Sequence, residues 1–285
     1  MELDPHLMSE EELVKACEEG PFLINGNRDA TRLIRLTSQV VVKFGIDVTA
    51  EEAATQHYVW THSNRRVLRV PQVYRFFTDK SRGPHLIRGY IVMEYINGTD
   101  LASYMRRATI GELTPTIKLI AKAVAHLSQI PERISQVPGP VEGGMPRGYI
   151  WAEDGASTSF DSAAEMENWL NSRLALYPKL ALEEPNWIAK LDLKSRKLVM
   201  CHTDLAPRNI ILLDDGSICF IDWAFAGFYP YIFEIYALRS RSAFEPIFSE
   251  ILRWLPSLDQ EDEEQLELLR RIQFVQARCG NALQL

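Results

Sequence analysis

The chain has few cysteines, no long apolar run and no strongly basic segment. Its four cysteines, Cys17, Cys201, Cys219 and Cys279, are widely spaced and form no Cys-x-x-Cys motif, so we expect free thiols rather than a disulfide framework or a zinc site. No apolar run reaches the roughly 18–20 residues of a membrane span. The net charge is −7, and Lys and Arg form no stripe. We therefore expect neither a membrane nor a nucleic acid as a partner.

What is present is a globular composition without repeats or low-complexity segments. Hydrophobic residues make up 46% and charged residues 24% of the 285 positions, as in ordinary folded domains. That length provides a substantial core for one large domain or two lobes. The first twenty residues are acidic and helical in pattern, and they lack the basic and apolar regions of a signal peptide. We therefore expect a cytoplasmic protein, whereas the oligomeric state has no signature in the sequence.

A buried hairpin with polar residues at its open end is the most informative segment. In CHTDLAPRNIILLDDGSICFIDW, residues 201–223, an Asp-Gly pair at 215–216 separates two apolar runs and predicts a two-residue type I′ turn. In that register Asn209 lies opposite Asp222, and the Cβ atoms of facing residues are about 5 Å apart. This spacing would bring together an amide oxygen and a carboxylate, which are ligands for a hard cation.

Asp204 precedes Asn209 by five residues, in a segment that contains Pro207. Proline lacks an N–H and disfavours a strand, so we place Asp204 on a loop beside the predicted metal site. Phosphoryl transfer requires a carboxylate there, to orient and deprotonate an attacking hydroxyl. An Asp-Gly hairpin followed by Ile-Asp is also common without this chemistry. The full set of His-x-Asp-x-x-x-x-Asn, hairpin and Ile-Asp favours a kinase-like site.

The motifs HTDLAPRNIILL and FIDWAFAGFYP resemble the catalytic loop and metal motif of the aminoglycoside phosphotransferase-like (choline kinase-like) enzymes, small-molecule relatives of protein kinases. The Asp-Trp-x-x-Ala-Gly-x-Tyr-Pro form is most similar to fungal members. The resemblance implies that Asp204 is the catalytic aspartate, that Asn209 and Asp222 bind Mg²⁺, and that His202 shapes the loop. Trp-Ala stands where protein kinases have Phe-Gly, and no Ala-Pro-Glu follows, which argues against a protein substrate.

The N-terminal third contains three predicted strands, FLING, TRLIRLT and QVVVKFG, followed by a helix. Lys43 lies within the third strand, where simple alternation would place it toward solvent. Thr49 and Glu52 form a predicted capping box that opens the helix. In kinases the strand lysine binds the α- and β-phosphates and is held by a glutamate of the following helix. The resemblance assigns these roles to Lys43 and Glu52, with Glu51 as the alternative partner.

Two further predicted strands, PQVYRFFTDK and HLIRGYIVMEYINGTDL, follow the helix. The stretch YIVMEYINGTDL resembles the hinge between kinase lobes. By that resemblance Met93 borders the adenine pocket, and backbone groups of Glu94 and Ile96 bond adenine, although an ordinary strand and turn would have the same pattern. The loop NGNRDATR carries only Gly26, whereas protein kinases have Gly-x-Gly-x-x-Gly. Its phosphate contacts are therefore left unassigned.

Beyond residue 96 the sequence predicts a mostly helical region around the hairpin. TPTIKLIAKAVAHLSQI and SAAEMENWLNSRLALYPKL have helical apolar spacing, the latter with Asp161 or Ser162 as N-cap. The Pro- and Gly-rich stretch between them predicts a long loop. We therefore expect an α+β, two-lobed protein-kinase-like fold. Residues 1–96 would form a nucleotide-binding lobe with a small antiparallel sheet and one main helix. Residues 97–285 would form the larger catalytic and substrate-binding lobe.

These features predict transfer of the γ-phosphate of ATP, with Mg²⁺, to a hydroxyl of an aminoglycoside-like, choline-like or secondary-metabolite acceptor. Lys43, Asp204 and Arg208 are the expected catalytic residues, Arg208 by neutralising charge on the phosphate. The alternatives are a nucleotide-binding or regulatory protein without transfer activity, and a kinase-like pocket with other chemistry. Acidic residues in the expected acceptor region offer a site for a cationic acceptor as the less favoured alternative, since charged runs are usually solvated. They are Glu153, Asp154, Asp161, Glu165 and Glu234.

Overall fold

The computed structural model describes residues 7–24, 31–83, 86–131, 137–151, 155–182, 189–240 and 245–279. The helices are α1 (Glu10–Glu19), α2 (Ala50–His62), α3 (Leu101–Met105), α4 (Ile110–Leu127), α5 (Ala163–Leu174), α6 (Tyr177–Ala181), α7 (Ile232–Arg239), α8 (Glu245–Arg253) and α9 (Gln260–Cys279). The strands are β1 (Phe22–Ile24), β2 (Arg32–Arg35), β3 (Val40–Gly45), β4 (Val73–Asp79), β5 (Arg88–Glu94), β6 (Thr99–Asp100), β7 (Leu198–Cys201), β8 (Ile210–Leu212), β9 (Ile218–Phe220) and β10 (Gly227–Pro230).

The N-terminal part is an antiparallel sheet with a helix on each face. Its five strands lie in the order β1-β2-β3-β5-β4, one for each predicted strand. Helix α1 packs on one face through Leu13 and Cys17. Helix α2 packs on the other face through Ala53. The one main helix of the prediction is α2, and α1 is the acidic N-terminal segment whose helical pattern the sequence shows.

The C-terminal part is mostly helical around the hairpin that the sequence predicts. Strands β8 and β9 form the hairpin, with β6 beside β8, and β7 pairs with β10. The hairpin also joins the segment after α2, since Arg69 N–H donates to Ile218 O and Phe220 N–H donates to Arg69 O, at 3.0 and 3.1 Å. The predicted α+β, two-lobed fold is confirmed. The lobe boundary after residue 96 stays a prediction.

Two helix starts show how local capping sets the boundaries. Helix α5 begins after Ser162, whose side chain accepts the Glu165 N–H, so Ser162 rather than Asp161 is the cap. Helix α4 begins four residues before the predicted start at Thr114, because Thr109 and Glu112 form a capping box there. Pro115 therefore lies inside the helix. None of the helices in the described ranges has the length and hydrophobicity to span a bilayer.

Candidate active site

Both faces of β3 are covered, so Lys43 lies inward rather than toward solvent. Val40, Val42 and Phe44 pack on the α1 face of the sheet, and Val41 packs on the α2 face. Because side chains of a strand alternate between the two faces, Lys43 shares the α2 face with Val41. The residue is only 6% exposed. A lysine at this depth needs partners for its ammonium group.

Two carboxylates surround the Lys43 ammonium. Nζ lies 2.5 Å from Glu52 Oε1 and 2.7 Å from Asp222 Oδ1. Burial disfavours the charged ammonium, but the Coulombic attraction of Glu52 and Asp222 outweighs that effect and raises the pKa of Lys43. Burial also disfavours the charged form of Asp222, but the positive charge of Lys43 outweighs that effect and lowers the pKa of the Asp222 carboxyl. The site therefore holds a charged lysine between strand, helix and hairpin.

Of the two candidate glutamates, Glu52 is the one that contacts Lys43. The Thr49 side chain accepts the Glu52 N–H, while the Glu52 carboxylate bonds Lys43, so the predicted reciprocal capping box is not formed. Glu51 packs instead against the loop at Gly144, where a Cβ would lie 2.9 Å from Glu51 Cγ. Glu52 therefore contributes its backbone N–H to the helix cap and its carboxylate to the ion pair.

The predicted hairpin register is wrong by one residue. Ile210 pairs with Phe220 and Leu212 with Ile218, so the residue opposite Asn209 is Ile221, whose N–H donates to Asn209 O at 3.0 Å. The loop therefore has three residues rather than two. Only Gly216, with φ +79°, is left-handed in it, whereas a two-residue type I′ turn needs positive φ at both central residues.

Asp222 consequently lies one position beyond the Asn209–Ile221 pair. Its own φ of +68° is left-handed, a conformation that aspartate adopts more readily than most residues. At this bend its carboxylate meets Lys43 of β3. Strain of this kind at a non-glycine residue persists where the surroundings fix it, and the Lys43 ion pair is one such restraint.

Asp204 lies on the loop between β7 and β8 and is 5% exposed. Its Oδ2 accepts hydrogen bonds from Asn209 Nδ2 at 2.9 Å and from Arg208 at 3.3 Å. Its Oδ1 accepts one from the Tyr149 hydroxyl at 3.0 Å. Asn209 also donates Nδ2 to Asp204 O at 2.8 Å. Both Asn209 bonds use its nitrogen, which leaves its amide oxygen available to another partner.

His202 holds the start of this loop from inside and is 0% exposed. Its Nδ1 accepts the Asp204 N–H at 3.3 Å, and its Nε2 lies 3.1 Å from Ile221 O. An imidazole that accepts at Nδ1 and donates at Nε2 is the neutral tautomer. Its ring also packs on Trp223, with centroids 4.6 Å apart. The His202 side chain therefore links the loop to the end of the hairpin, which agrees with the loop-shaping role that the resemblance implies.

Glu234 of α7 anchors the same loop, a role the sequence did not indicate. Its Oε2 accepts the N–H groups of His202 at 2.5 Å and Thr203 at 3.1 Å. Thr203 has φ +56°, so the carboxylate stabilises a left-handed bend just before Asp204. Burial raises the pKa of Glu234 to about 7, although the two N–H donors act in the opposite direction.

This raised pKa predicts a pH-dependent stability that Glu234→Gln removes. A folded-state pKa near 7 against an ordinary 4.5 means that the folded protein binds the proton more tightly than the unfolded chain does. The stabilisation of the folded state by the proton on Glu234 is therefore fully present below about pH 4.5 and is lost as the pH rises through 7. We expect the free energy of unfolding of native protein relative to Glu234→Gln to fall by about 2–3 kcal/mol between pH 5 and pH 8. Urea denaturation at both pH values measures it, and a constant difference would contradict the assignment.

The predicted hinge residues Met93, Glu94 and Ile96 lie at the C-terminal end of β5 and just beyond it. Met93 is 8% exposed, and its Sδ accepts from Gln56 Nε2 of α2 at 3.4 Å. The Glu94 N–H donates to Gln72 O at 2.9 Å, while the Gln72 N–H goes to the Glu94 side chain at 3.2 Å. The Gln72 N–H is therefore bonded to the side chain of Glu94 and not to its backbone carbonyl. Within the described residues, the N–H of Ile96 enters no backbone hydrogen bond.

Among the described acidic residues of the expected acceptor region, no cluster forms at this site. Glu165 lies in the first turn of α5 and accepts the Asp161 N–H, and Glu234 is buried beneath the loop. Glu153 and Asp154 lie outside the described residues, as does Gly26 of the first loop. The expectation of a cationic acceptor therefore gains no support from Glu165 or Glu234. Tyr149 is the site residue that the sequence left unnoticed, because nothing in its Pro- and Gly-rich surroundings marks a contact with Asp204.

Comparisons with known proteins agree with this architecture. The apo structure of a thermostable mutant of the aminoglycoside phosphotransferase APH(4)-Ia has a TM-score of 0.57 and 15% identity, over 94% of this chain and 89% of that chain. A ternary complex of a variant of the same enzyme with AMP-PNP and hygromycin B has a TM-score of 0.56 and 14% identity, over 93% of this chain and 88% of that chain. Spectinomycin phosphotransferase APH(9)-Ia, in complex with ADP and spectinomycin, has a TM-score of 0.54 and 14% identity, over 94% of this chain and 86% of that chain.

At these identities the solved structures show a shared fold. A search of curated protein sequences finds no significant match. The fungal part of the resemblance stays a prediction. The model of the phosphotransferase enzyme family matches residues 23–276, which is most of the chain and includes the sheet, the loop of Asp204 and the hairpin. The chain therefore belongs to the phosphotransferase enzyme family.

Proposed function

We propose that this protein transfers the γ-phosphate of ATP to a hydroxyl group of a small molecule. The observation that carries the proposal is the Lys43 ammonium, held at 2.5 Å by Glu52 and at 2.7 Å by Asp222. A fixed cation between strand, helix and hairpin suits the phosphates of a nucleotide, because phosphoryl transfer depends mainly on positioning and charge neutralisation. The complexes of the structural neighbours with AMP-PNP, ADP or GDP support a nucleotide as the donor.

The residues at the hairpin fit a magnesium ion that is shared with phosphates. Within the described part of the chain, no three His, Cys, Asp or Glu side chains are grouped to hold a metal. Mg²⁺ is typically bound by one or two protein oxygens plus phosphates and water. Asn209, with its amide oxygen available, and Asp222, with a side chain 38% exposed, would hold it. When bound, the ion supplies charge neutralisation on the phosphates.

The remaining residues divide the work of transfer. Asp204 accepts the proton of the attacking hydroxyl, and Asn209 holds the Asp204 carboxylate by its Nδ2. Arg208, whose side chain is 57% exposed, reaches the transferred phosphate. At the hinge, the Glu94 carbonyl and the Ile96 N–H bond the adenine edge beside Met93. An acceptor of small size fits the family and the aminoglycoside complexes of the neighbours.

Calorimetric titration with AMP-PNP tests the nucleotide site. We expect binding that requires Mg²⁺ and that Asp222→Asn weakens at least about tenfold, since even outer partners of a metal change affinity by that factor. Asp214→Asn is the matched control, because Asp214 lies in the exposed turn of the same hairpin. A screen of hydroxylated compounds for ADP release then identifies the acceptor.

Two results would contradict the proposal. Absence of nucleotide binding by the native protein would remove the kinase and leave the fold. Binding without ADP release for any acceptor, including water, would favour a nucleotide-binding protein that lacks transfer. Affinity unchanged by Asp222→Asn would exclude this residue from the metal site.

A further inference from the structure

The Tyr149 side chain covers the carboxylate that the proposed reaction needs. Its hydroxyl donates to Asp204 Oδ1 at 3.0 Å. Tyr149 itself is 39% exposed, whereas Asp204 is 5% exposed. An acceptor that is to give its proton to Asp204 must therefore reach a carboxylate that is already hydrogen bonded and shielded.

The position of Tyr149 is built into the backbone around it. Gly148 has φ +118° and packs so closely on Phe225 that a Cβ would lie 3.3 Å from its ring. The Tyr149 ring meets the Phe225 ring edge-on, with centroids 5.9 Å apart and planes at 88°. Thr203 Oγ1 donates to Phe225 O at 2.8 Å. Phe225 therefore links Tyr149 to the loop that carries Asp204.

The two oxygens of Asp204 have different kinds of partner. Oδ2 is bonded by Arg208 and Asn209 of its own loop, whereas Oδ1 is bonded by a hydroxyl from a distant segment. A hydroxyl is also what the acceptor presents to a catalytic base. We propose that the Tyr149 hydroxyl occupies the place of the acceptor hydroxyl until the acceptor binds, and so keeps water away from Asp204. This inference rests on the proposed phosphotransferase activity.

The exchange of one hydroxyl for another distinguishes an acceptor from water. Replacing Tyr149 by the acceptor hydroxyl leaves Asp204 with the same number of hydrogen bonds, so the exchange costs little. The acceptor has further contacts that drive the displacement, and water has none. The suppressed reaction is hydrolysis. The water oxygen would bond the γ-phosphorus, the bond to the β,γ-bridging oxygen would break, ADP and phosphate would leave, and Asp204 would take the water proton.

Tyr149→Phe tests the inference without knowledge of the acceptor. The variant removes the hydroxyl and keeps the ring against Phe225. With MgATP and no acceptor, we expect ADP release to rise about fivefold over the native protein, the size expected for loss of one competing hydrogen bond. Labelled water should place its oxygen in the released phosphate. The added Asp204→Asn change should abolish the rise.

Tyr58→Phe is the matched control, because its hydroxyl also makes one hydrogen bond, to Pro131 O at 2.9 Å, away from the site. It should release ADP at the native rate. An equal or lower rate for Tyr149→Phe, with AMP-PNP still bound, would overturn this inference alone, and a lower rate would mean that Tyr149 positions Asp204. Absence of AMP-PNP binding by native protein would overturn both this inference and the proposed function.

Discussion

Asp204→Asn should lower ADP release with a hydroxylated acceptor on the order of a thousandfold, the range in which general bases contribute. An amide cannot take the proton of the attacking hydroxyl at neutral pH. The substitution keeps the shape of the side chain, and its oxygen can still accept from Arg208 and Asn209. Its new N–H can face Tyr149, whose hydroxyl accepts as well as donates. We therefore expect the loss to concern turnover rather than folding.

Three measurements separate these effects. Steady-state ADP release reports turnover, thermal melting reports stability, and calorimetry with AMP-PNP and Mg²⁺ reports nucleotide binding. Asp214→Asn, the same change in the exposed turn of the hairpin, should match the native protein in all three. Turnover near the native level in Asp204→Asn would show that another group accepts the proton.

Local sequence patterns were sufficient for the parts of the fold that local chemistry determines. The strands of the N-terminal sheet follow apolar runs, and α2 begins directly after Thr49 because the Thr49 side chain caps the helix. The resemblance to kinases paired Lys43 with Glu52 and left Glu51 as the alternative, and the structure shows Glu52 at the ammonium group. Lys43 was expected to face solvent, and it is buried because α2 covers its face of β3, which the pattern of a single strand does not reveal.

The hairpin shows where a strong local signal fails. Asp-Gly favours a two-residue turn, but here Asp215 uses its side chain to accept the Ser217 N–H at 2.9 Å, and only Gly216 is left-handed. The additional loop residue shifts the pairing by one position and separates Asn209 from Asp222 across the ladder. The two residues still lie at the open end of the hairpin, because the left-handed bend at Asp222 comes directly after it.

Contacts between distant segments could not be predicted from one sequence. Tyr149 and Asp204 are 55 positions apart, and Glu234 follows Thr203 by 31. Neither pair belongs to a motif that the family resemblance assigns, in contrast to Lys43 and Glu52. Such residues become visible only when the fold brings an oxygen and a donor within hydrogen-bond distance.

Lys43→Met and Lys43→Met/Glu52→Gln should separate the structural role of the buried ion pair from its proposed role in transfer. Glu52 is 3% exposed, and its Oε2 has no hydrogen-bond partner among the described residues. Lys43→Met leaves that carboxylate buried without a cation, so we expect a loss of about 3–5 kcal/mol in the free energy of unfolding. Glu52→Gln in the same chain removes the buried charge and should recover most of that loss, because buried ion pairs contribute little relative to neutral replacements.

ADP release should respond differently from stability. Both variants lack the cation that would hold the phosphates, so we expect turnover to stay down by on the order of a hundredfold or more in each. Lys122→Met is the control, because Lys122 is exposed on α4. Recovery of ADP release together with stability in the double variant would show that Lys43 serves only the fold. Recovery of stability alone would show that the charge of Glu52 serves to hold Lys43, and that the charge of Lys43 serves to bind the phosphates.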